Sequence, residues 1–585
     1  MTHGVELLHH AQMHSNEPCF EELKAPRPHM EWQPDQATLD LIRHLALQNS
    51  YQYDGKGQAG SVISRIMGSR ADLRPHGKHV APLVAQEVAK ANAMAESDGI
   101  DSIRQILESE APDLLERKVQ TRREGLPELP NLNGRKPVLR FAPNPNGPLS
   151  FGHSRGLVIN GQYAKELEGE LILRFDDTDT TVKPPMLEAY ESIPVQQEWL
   201  CGFPAHRIVI ASERMQEYHD YAELMIKGEF GYVCTCSADE FREFRVSKTE
   251  CPCRGNDVAK NLKGWKMMND PAEYQPGDAV LRVKTDMTLK NPALRDWPAA
   301  RIQTNPHPRV GNKWRVWPLL DFQSAVEDYL QKVTHIIRGK DLMDSTRKQT
   351  LLYEHFGWEY PETIYWGRVK VHEFGAFSTS QMKKDIAEGN FDGWDDPRLP
   401  TLSALSRRGI KPESLRAFWI ELGLTQKDIA VPLSTLYSHN TKVIDPNAPR
   451  LAFVRDAFPV VLKGDFPKTG SISSHSDTEM KPRSYSIDEG VWIEEEDSGK
   501  PIRLKDLCDI DADGNVESID RSDKRSVVHW VAGGKPSTLT IVNGQNLETI
   551  EGILEDNEYS VGTIVQLERI GYAIIEENGL LMVHD

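Results

Sequence analysis

The segment from residue 137 to residue 175 constrains the fold of this chain most strongly. A short run typical of a strand, Val138–Phe141, is followed by a loop rich in Pro, Asn and Gly and then by a helix predicted to begin near His153. A second strand is predicted at Glu170–Phe175. Strand, loop, helix and strand in this order favour a right-handed crossover, so the pattern predicts an α/β protein with a parallel nucleotide-binding sheet.

The chain is too long for one compact unit, because its 585 residues exceed the typical domain length of about 150 residues. Helical periodicity predominates before a Pro/Gly/Asn-rich linker at 125–137, and short β-rich runs predominate after residue 446. The predicted parts are a helical N-terminal extension (1–130), the first half of the nucleotide-binding domain (131–212), a cysteine-containing insertion (213–315), the second half of that domain (316–375), a loop with a helical subdomain (376–445), and one or two antiparallel β-barrels (446–585).

Composition excludes several classes of protein. The chain has 69 Lys+Arg and 87 Asp+Glu, a formal charge of −18, which argues against coating nucleic acid through bulk charge but leaves room for a local basic groove. An apolar fraction of 39% fits a globular protein rather than a disordered one. No apolar run approaches the roughly 18 residues of a membrane span, and the N-terminus lacks a secretion signal. We therefore expect a cytoplasmic protein.

The loop between the two predicted strands has the composition of a phosphate-binding turn. Residues 140–156 read RFAPNPNGPLSFGHSRG, and their prolines and glycines let a ligand approach the backbone closely. The helix that follows directs its free N–H groups and its dipole at the same place, which favours an anion. His153 is a candidate donor to a phosphate oxygen in the transition state.

Four ordered segments carry a resemblance to a known family. They are the loop at 140–156, LRFDDTD at 173–179, THIIRGKDL at 334–342 and GWDDPRLPTLSALSRRGI at 393–410. Together they resemble the glutamyl/glutaminyl branch of the class I aminoacyl-tRNA synthetases, and the last segment resembles the glutamyl-tRNA synthetases of archaea and eukaryotes. The resemblance implies a Rossmann-like catalytic domain, an inserted module for the tRNA acceptor end and a C-terminal anticodon-binding region.

The resemblance also implies a reaction and its partners. Glutamate and ATP form glutamyl-adenylate with the help of Mg²⁺, and the glutamyl group is then transferred to the 3′ end of tRNA(Glu). The resemblance allows tRNA(Gln) as a second substrate. Three alternatives stay open: a glutaminyl enzyme, a catalytically weakened paralogue, and a tRNA-binding protein without activity.

Site residues are carried over from the family motifs. The catalytic candidates are His153, Ser150, Gly152, Lys383 and Lys384. The ATP-binding candidates are Pro143, Asn144, Pro145, Gly147, Gly152, His153 and Ser380. The glutamate-binding candidates are Arg140, Ala142, Asp176 and Arg338, where Asp176 would pair with the α-ammonium group.

Arg338 is the residue predicted to select glutamate over glutamine. A guanidinium group holds a carboxylate through two bonds, whereas a neutral amide gains much less. Glutaminyl enzymes do not carry arginine at this position, and they have Pro-Glu-Pro where this chain has Pro143-Asn144-Pro145. The alternative reading of Arg338 is a surface ion pair with Asp341 or Asp344.

Three positions depart from the family pattern. Ser150 replaces the first histidine of the "HIGH" signature, and Leu320 stands where relatives often have a tyrosine. In the loop FSTSQMKKDI, which resembles the mobile "KMSKS" signature, Gln381 replaces a lysine that would neutralise pyrophosphate. Lys383 or Lys384 is the predicted substitute. These departures motivate the weakened-paralogue hypothesis.

Two cysteine pairs form an independent signal. Cys234 and Cys236 precede Cys251 and Cys253 by a spacing that closes a tetrahedral Zn²⁺ site, and the alternative is a set of reduced thiols. The zinc would be structural and would stiffen the module that grips the tRNA acceptor end. The isolated Cys19, Cys201 and Cys508 are predicted to be packing residues.

Contacts with tRNA are predicted in two regions. A basic strip after the signature loop is a candidate for tracking phosphates, with a solvated helix face as the alternative; it consists of Arg398, Arg407, Arg408 and Lys411. The β-rich tail would read unstacked anticodon bases. The helices of residues 1–130 are equally consistent with docking a partner protein, bracing the tRNA or extra packing.

Overall fold

A computed structural model describes residues 32–115, 125–373, 378–488, 490–521 and 523–585. The chain divides into two compact units, whose described parts are residues 32–115 and residues 125–585. The predictions made for residues 1–31 and 116–124 of the helical extension, and for Phe377 in the signature loop, lie outside the described residues. Within the described residues, no helix has the length and apolar character needed to cross a membrane.

The first unit is helical. Its helices are α1 Gln36–Gln52, α2 Ala59–Ser69, α3 Gly77–Asp98 and α4 Ile100–Glu110. Asp35 caps α1 by accepting a hydrogen bond from the Thr38 N–H at 2.9 Å. Ile42, Val80 and Val84 are fully buried between α1 and α3. The predicted helical character of this part is confirmed for its described residues.

The second unit begins with parallel strands and crossover helices. These elements are β1 Val138–Phe141, α5 Phe151–Glu166, β2 Glu170–Phe175, α6 Leu187–Cys201 and β3 Arg207–Ile210. The strands pair in the order β1-β2-β3, and all pairs are parallel. The helix predicted near His153 begins two residues earlier, because Ser150 is its N-cap.

An insertion separates these strands from the rest of the parallel region. Its elements are α7 Met215–Lys227, β4 Gly231–Cys234, α8 Ala238–Ser247, α9 Val258–Asn269, β5 Val280–Val283, β6 Pro298–Ile302 and β7 Val316–Pro318. The strands form an antiparallel sheet in the order β4-β5-β6-β7. Trp265, Trp297 and Trp317 are buried in the core beneath it.

The parallel pattern resumes after the insertion. Its elements are α10 Leu320–Leu330, β8 His335–Gly339, α11 Met343–Phe356 and β9 Glu362–Trp366, and β8 and β9 are parallel. Thr334, just before β8, donates its N–H to the Val138 carbonyl at 3.0 Å and thereby joins this pair of strands to β1. The strand predicted in THIIR is confirmed.

A mixed helical segment follows the second pair of parallel strands. Its elements are β10 Val369–Val371, α12 Thr379–Ala387, α13 Leu402–Arg407, α14 Pro412–Leu422, β11 Ile429–Val431 and α15 Leu433–Ile444. The Trp419 indole N–H on α14 donates to Ser154 Oγ on α5 at 2.7 Å. Phe418 and Trp419 both pack against Phe151. These contacts anchor the helical segment to α5, the helix that follows the predicted phosphate-binding loop.

The C-terminal region is rich in short strands. They are β12 Arg450–Leu451, β13 Phe453–Arg455, β14 Ala457–Val461, β15 Thr469–Ile472, β16 Arg483–Ser486, β17 Gly490–Glu494, β18 Ile502–Leu504, β19 Cys508–Ile510, β20 Val516–Ser518, β21 Val527–Val528, β22 Lys535–Asn543, β23 Asn546–Leu554, β24 Ile564–Leu567, β25 Gly571–Glu576 and β26 Gly579–His584.

Seven of these strands form one nearly closed sheet in the order β12-β24-β25-β26-β22-β23-β13. Its two edge strands, β12 and β13, are separated only by Ala452, so the sheet must curl until its edges nearly meet. Two of the pairs, β12–β24 and β22–β26, are parallel, which corrects the expectation of a purely antiparallel barrel. The reason is that these strands are neighbours through the curvature of the sheet and not through hairpins.

Candidate active site

The loop that follows β1 is fixed to the end of β2. Asn144 Nδ2 donates to the Asp176 carbonyl at 3.1 Å, and the Asp176 N–H donates to the Pro143 carbonyl at 3.1 Å. Gly147 admits the signature loop, since a Cβ at this position would lie 2.5 Å from Thr379 Cγ2. The predicted ATP-binding loop therefore lies against the carboxyl end of β2, the usual place of ligands in parallel sheets.

Ser150 orients His153 at the N-terminus of α5. The Ser150 N–H donates to His153 Nδ1 at 3.2 Å, and Ser150 Oγ lies at 3.2 Å from the same nitrogen. Since Nδ1 accepts, the proton of the neutral ring is on Nε2. Burial, aided by the nearby charge of Lys183, lowers the pKa of His153 to about 4. The ring is therefore a neutral donor at physiological pH.

A cleft of about 1280 Å³ opens beside this loop. Among the predicted site residues, those that line it are Ala142, Pro143, Asn144, His153, Asp176 and Ser380. Leu320, at the start of α10, also lines the cleft and is 49% exposed. Residues of the insertion, among them Arg301 and Gln303, form another part of the wall.

Several predicted site residues do not line this cleft. They are Arg140, Pro145, Gly147, Ser150, Gly152, Arg338, Lys383 and Lys384. Pro145 and Gly147 are buried within the loop, and Gly152 is exposed in the first turn of α5. Ser150 acts on His153 through the contacts given above, whereas the two arginines lie in a buried polar network behind Asp176.

This network links β1 and β2 to α10. Arg174 donates to both Asp176 (Nε to Oδ1, 2.7 Å) and Asp328 (Nη1 to Oδ1, 2.6 Å). Arg140 Nε donates to Asp328 Oδ1 at 3.1 Å, and Gln323 Nε2 donates to Asp176 Oδ1 at 3.0 Å. Burial raises the pKa of Asp176 against the opposing effect of Arg174. Sequence reasoning missed Arg174 and Asp328, whose partners are distant along the chain.

Arg338, on β8, lies close enough to this network for the charges of Arg140 and Asp328 to act on it, but its own hydrogen bonds go to neutral side chains. Its Nη2 donates to Thr346 Oγ1 at 2.7 Å, to Gln349 Oε1 at 3.0 Å and to the Tyr360 hydroxyl at 2.7 Å, while its Nε is buried without a partner. Only 6% of the residue is exposed, so it is not in a surface ion pair. Burial lowers the pKa of Arg338, because the guanidinium group is desolvated without a carboxylate bound directly to it.

The charges of the network do not balance. The buried guanidinium groups in and beside it are the three of Arg140, Arg174 and Arg338, and its two carboxylates belong to Asp176 and Asp328. The difference between three and two leaves one excess positive charge at a buried place, which favours binding of one further carboxylate.

The signature loop reaches the cleft with its hydroxyl residues. Ser378, Thr379 and Ser380 line the wall, and Ser378 Oγ caps α12 by accepting the Gln381 N–H at 3.1 Å. The Gln381 side chain turns along the helix and donates to Asp385 at 2.9 Å. Lys383 and Lys384 are exposed on α12. The charge expected of this loop is therefore not directed into the cleft in this conformation.

The predicted basic strip is largely bonded within the protein. Arg398 Nη2 donates to Asp396 at 2.6 Å, Arg407 Nε donates to Glu576 at 2.8 Å, and Arg408 donates to the Tyr437 hydroxyl at 2.7 Å. Lys411 is the N-cap residue of α14 and is half-buried. Binding of phosphates by these residues stays a prediction.

The four cysteines of the insertion come together. Cys234 Sγ lies 3.9 Å from Cys251 Sγ, Cys236 Sγ lies 3.8 Å from Cys253 Sγ, and all four sulfur atoms lie within 4.8 Å of one another. A tetrahedral zinc ion with Zn–S bonds of about 2.3 Å separates its sulfur ligands by about 3.8 Å. The Thr235 N–H donates to Cys253 Sγ at 3.4 Å, as expected of a group that supports a thiolate ligand. The arrangement fits the ion.

Two family models match the chain. Residues 137–446 match the catalytic domain of the class I tRNA synthetases (E and Q), and residues 448–529 match the anticodon-binding domain of the same group.

Proteins named glutamate–tRNA ligase are similar over nearly the whole length. That of Methanothrix thermoacetophila is 41% identical over 559 residues, and that of Archaeoglobus fulgidus is 40% identical over 549 residues. Each match covers 92% of this chain and 97% of the relative. The match with the protein of Methanosarcina mazei is 41% identical over 565 residues and covers 92% of this chain and 96% of the relative.

Proposed function

The chain belongs to the class I tRNA synthetases for glutamate and glutamine, and on that premise we propose that it is a ligase that joins glutamate to tRNA(Glu) in the cytoplasm. The observation that carries the proposal is the identity of about 40% with archaeal glutamate–tRNA ligases over 92% of the chain. The parallel strands with their crossover helices support the predicted Rossmann-like catalytic domain, and the limits predicted for the other domains stay part of this proposal.

The first step of the reaction forms glutamyl-adenylate. An oxygen of the glutamate α-carboxylate attacks the α-phosphorus of ATP, the bond from that phosphorus to the bridging oxygen breaks, and pyrophosphate leaves with the electron pair. Mg²⁺, when bound, offsets charge on the phosphates. The neutral His153 donates Nε2–H to a phosphate oxygen, and Ser150 holds the ring in that orientation.

In the second step the terminal ribose hydroxyl of tRNA attacks the carbonyl carbon of the adenylate. The bond to AMP breaks, and the hydroxyl proton passes to the departing phosphate or to solvent. Neither step needs a protein nucleophile, so the chain contributes orientation and charge. Asp176 lines the cleft and is suited to pair with the α-ammonium group of glutamate.

Selection of glutamate follows from the excess charge of the buried network. Neither Arg338 nor Arg140 lines the cleft in this conformation, and the proposal requires Arg338 to turn from its present partners towards the substrate. A glutamate side chain then supplies the carboxylate that balances the excess charge, whereas glutamine leaves that charge uncompensated. Glutamine ligation is therefore the disfavoured alternative. The orientation of His153 by Ser150 argues against the weakened-paralogue alternative, since the departure at residue 150 keeps a working hydrogen bond to the ring.

We further propose that the four cysteines of the insertion hold one structural Zn²⁺. The wild-type protein is expected to contain about one zinc per chain by mass spectrometry of the metals, and Cys236→Ala should lose most of it. Cys508→Ala is the matched control, because Cys508 is buried in the C-terminal region away from the cluster. Zinc-free wild-type protein, or a Cys236→Ala variant with a full complement of zinc, would contradict the site.

The anticodon-binding role of residues 448–529 rests on the family match. The same proposal includes phosphate contacts by four basic residues, Arg398, Arg407, Arg408 and Lys411. In this proposal the three arginines leave their present side-chain partners when tRNA binds. For the helices of the first unit, docking of a protein, bracing of tRNA and extra packing stay equal alternatives within the proposal.

The test of the function is a pair of assays on the purified protein. Radioactive glutamate and glutamine are each supplied with ATP and with purified tRNA(Glu) or tRNA(Gln), and ATP–pyrophosphate exchange is measured with and without tRNA. We expect glutamate, and not glutamine, on tRNA(Glu), and exchange that depends on tRNA. Charging with glutamine alone would identify a glutaminyl enzyme, and no exchange with either tRNA would favour a binding protein.

A further inference from the structure

The structure raises the question of which cation faces the leaving pyrophosphate. Gln381 stands where the family has a lysine, and its side chain bonds to Asp385 along α12. Lys383 and Lys384 follow on the same helix, are exposed, and do not line the cleft. Lys384 Nζ lies 3.6 Å from Glu388. The chemistry nevertheless places extra negative charge on the pyrophosphate as it leaves.

The cations that do line the cleft are three: Lys183, Arg301 and Lys348, counted among the described residues. Lys348 is neutralised by Asp321 at 2.7 Å. Arg301 lies on β6 of the insertion. Lys183 is exposed, and it is close enough to His153 for its charge to oppose protonation of that ring.

The backbone around Lys183 is held at both ends. On the N-terminal side, Asp179 Oδ1 accepts the N–H groups of Thr181 and Val182, each at 2.9 Å. On the C-terminal side, the Met186 N–H donates to the carbonyl of Pro145 in the phosphate-binding loop at 2.8 Å. Two prolines, Pro184 and Pro185, restrict the connection between them. The lysine is thus carried on a restrained segment that is fastened to the loop bearing the predicted ATP contacts.

We propose that Lys183 binds the β- and γ-phosphates of ATP and stabilises the pyrophosphate as it leaves, in the role that the missing lysine at position 381 has in the family. The inference rests on the proposed ligase function and deepens it. In the step concerned, the α-carboxylate oxygen of glutamate forms a bond to the α-phosphorus while the bond to the bridging oxygen breaks. The ammonium group of Lys183 attracts the negative charge that develops on the leaving group and does not transfer a proton.

Two observations favour the phosphates of ATP over a phosphate of the tRNA. Lys183 lines the same cleft as His153, which lies in the first turn of α5, where the helix dipole also favours an anion. The segment that carries Lys183 is bonded to the predicted ATP-binding loop through the Pro145 carbonyl. Arg301 is the cleft cation on the insertion, the part predicted to hold the tRNA end.

The experiment compares Lys183→Met and Lys183→Arg with the wild-type protein in glutamylation of tRNA(Glu). Lys183→Met should lower kcat/KM for ATP by about 100- to 1000-fold, the range for loss of one group that stabilises transition-state charge, and leave KM for tRNA unchanged. Lys183→Arg should recover most of the activity, because it keeps the charge. Lys136→Met is the matched control, since Lys136 is an exposed lysine paired with Glu168 outside the cleft.

A second measurement keeps the inference testable if the wild-type protein does not charge tRNA with glutamate, in which case the proposed function has failed. In calorimetric titration with magnesium pyrophosphate, the wild-type protein and Lys136→Met should bind pyrophosphate with the same affinity. The affinity of Lys183→Met should be about tenfold weaker. Equal pyrophosphate affinity would overturn the inference. It would also be overturned if Lys183→Met raised only KM for tRNA, or if Lys383→Met with Lys384→Met lost activity while Lys183→Met did not.

Discussion

Replacement of Arg338 by glutamine tests the electrostatic basis of amino-acid selection. The substitution removes a buried positive charge and leaves a polar side chain of shorter reach. The neighbouring groups keep partners without it, because the Tyr360 hydroxyl donates to Gln349 Oε1 at 2.7 Å and the Tyr365 hydroxyl donates to Thr346 Oγ1 at 2.6 Å. We therefore expect Arg338→Gln to fold.

The size of the effect follows from the bonds lost. Two charge-assisted hydrogen bonds to the substrate carboxylate are worth about 3–6 kcal/mol, and a neutral bond retained by glutamine is worth about 1 kcal/mol. The net loss of about 2–5 kcal/mol corresponds to a decrease in kcat/KM for glutamate from about 30-fold to a few thousandfold. The loss should appear in both KM and kcat, since the carboxylate is bound throughout the reaction.

The assay is steady-state aminoacylation of tRNA(Glu) at varied glutamate, with glutamine as competitor. Arg338→Lys keeps the charge but not the planar pair of donors, so it should recover only part of the activity. Arg416→Gln is the matched control, because Arg416 donates to the Leu200 carbonyl and does not line the cleft. A value of kcat/KM for glutamate within threefold of the wild type in Arg338→Gln would refute the assignment.

Two further predictions concern α5. Burial and Lys183 lower the pKa of His153 to about 4, so the ring gains its proton only as the pH falls towards that value. The pH profile of kcat/KM should therefore show no acidic limb due to His153 between about pH 5.5 and 7.5. An acidic limb in that range that His153→Gln abolishes would contradict this prediction. Trp419→Phe removes the hydrogen bond to Ser154, whose hydroxyl still donates to the Phe151 carbonyl. The free energy of unfolding should therefore fall by about 1–2 kcal/mol. An unchanged midpoint of urea unfolding would contradict that value.

The local elements were predictable from the sequence. The strands Val138–Phe141 and Glu170–Phe175 have the predicted limits, since a short, largely apolar run in each strand and the Pro, Asn and Gly after the first are local signals. The four cysteines were also predictable as a group, because two closely spaced pairs within twenty positions are a local pattern typical of zinc ligands. The start of α5 differs by two residues, because the cap at Ser150 and not the histidine defines it.

The partners of the buried charges were decided only by the tertiary structure. Asp328 is separated from Arg174 by 154 residues, and nothing in the run around it distinguishes it from a carboxylate on a solvated helix. Lys183 likewise follows a motif without belonging to it, and the fastening of Met186 to Pro145 brings its segment to the cleft. Backbone conformation depends on neighbours along the chain, so the sequence determined the strands, the helix and the loop between them. The electrostatic balance of a buried group depends on which distant elements pack around it, and that was settled by the fold.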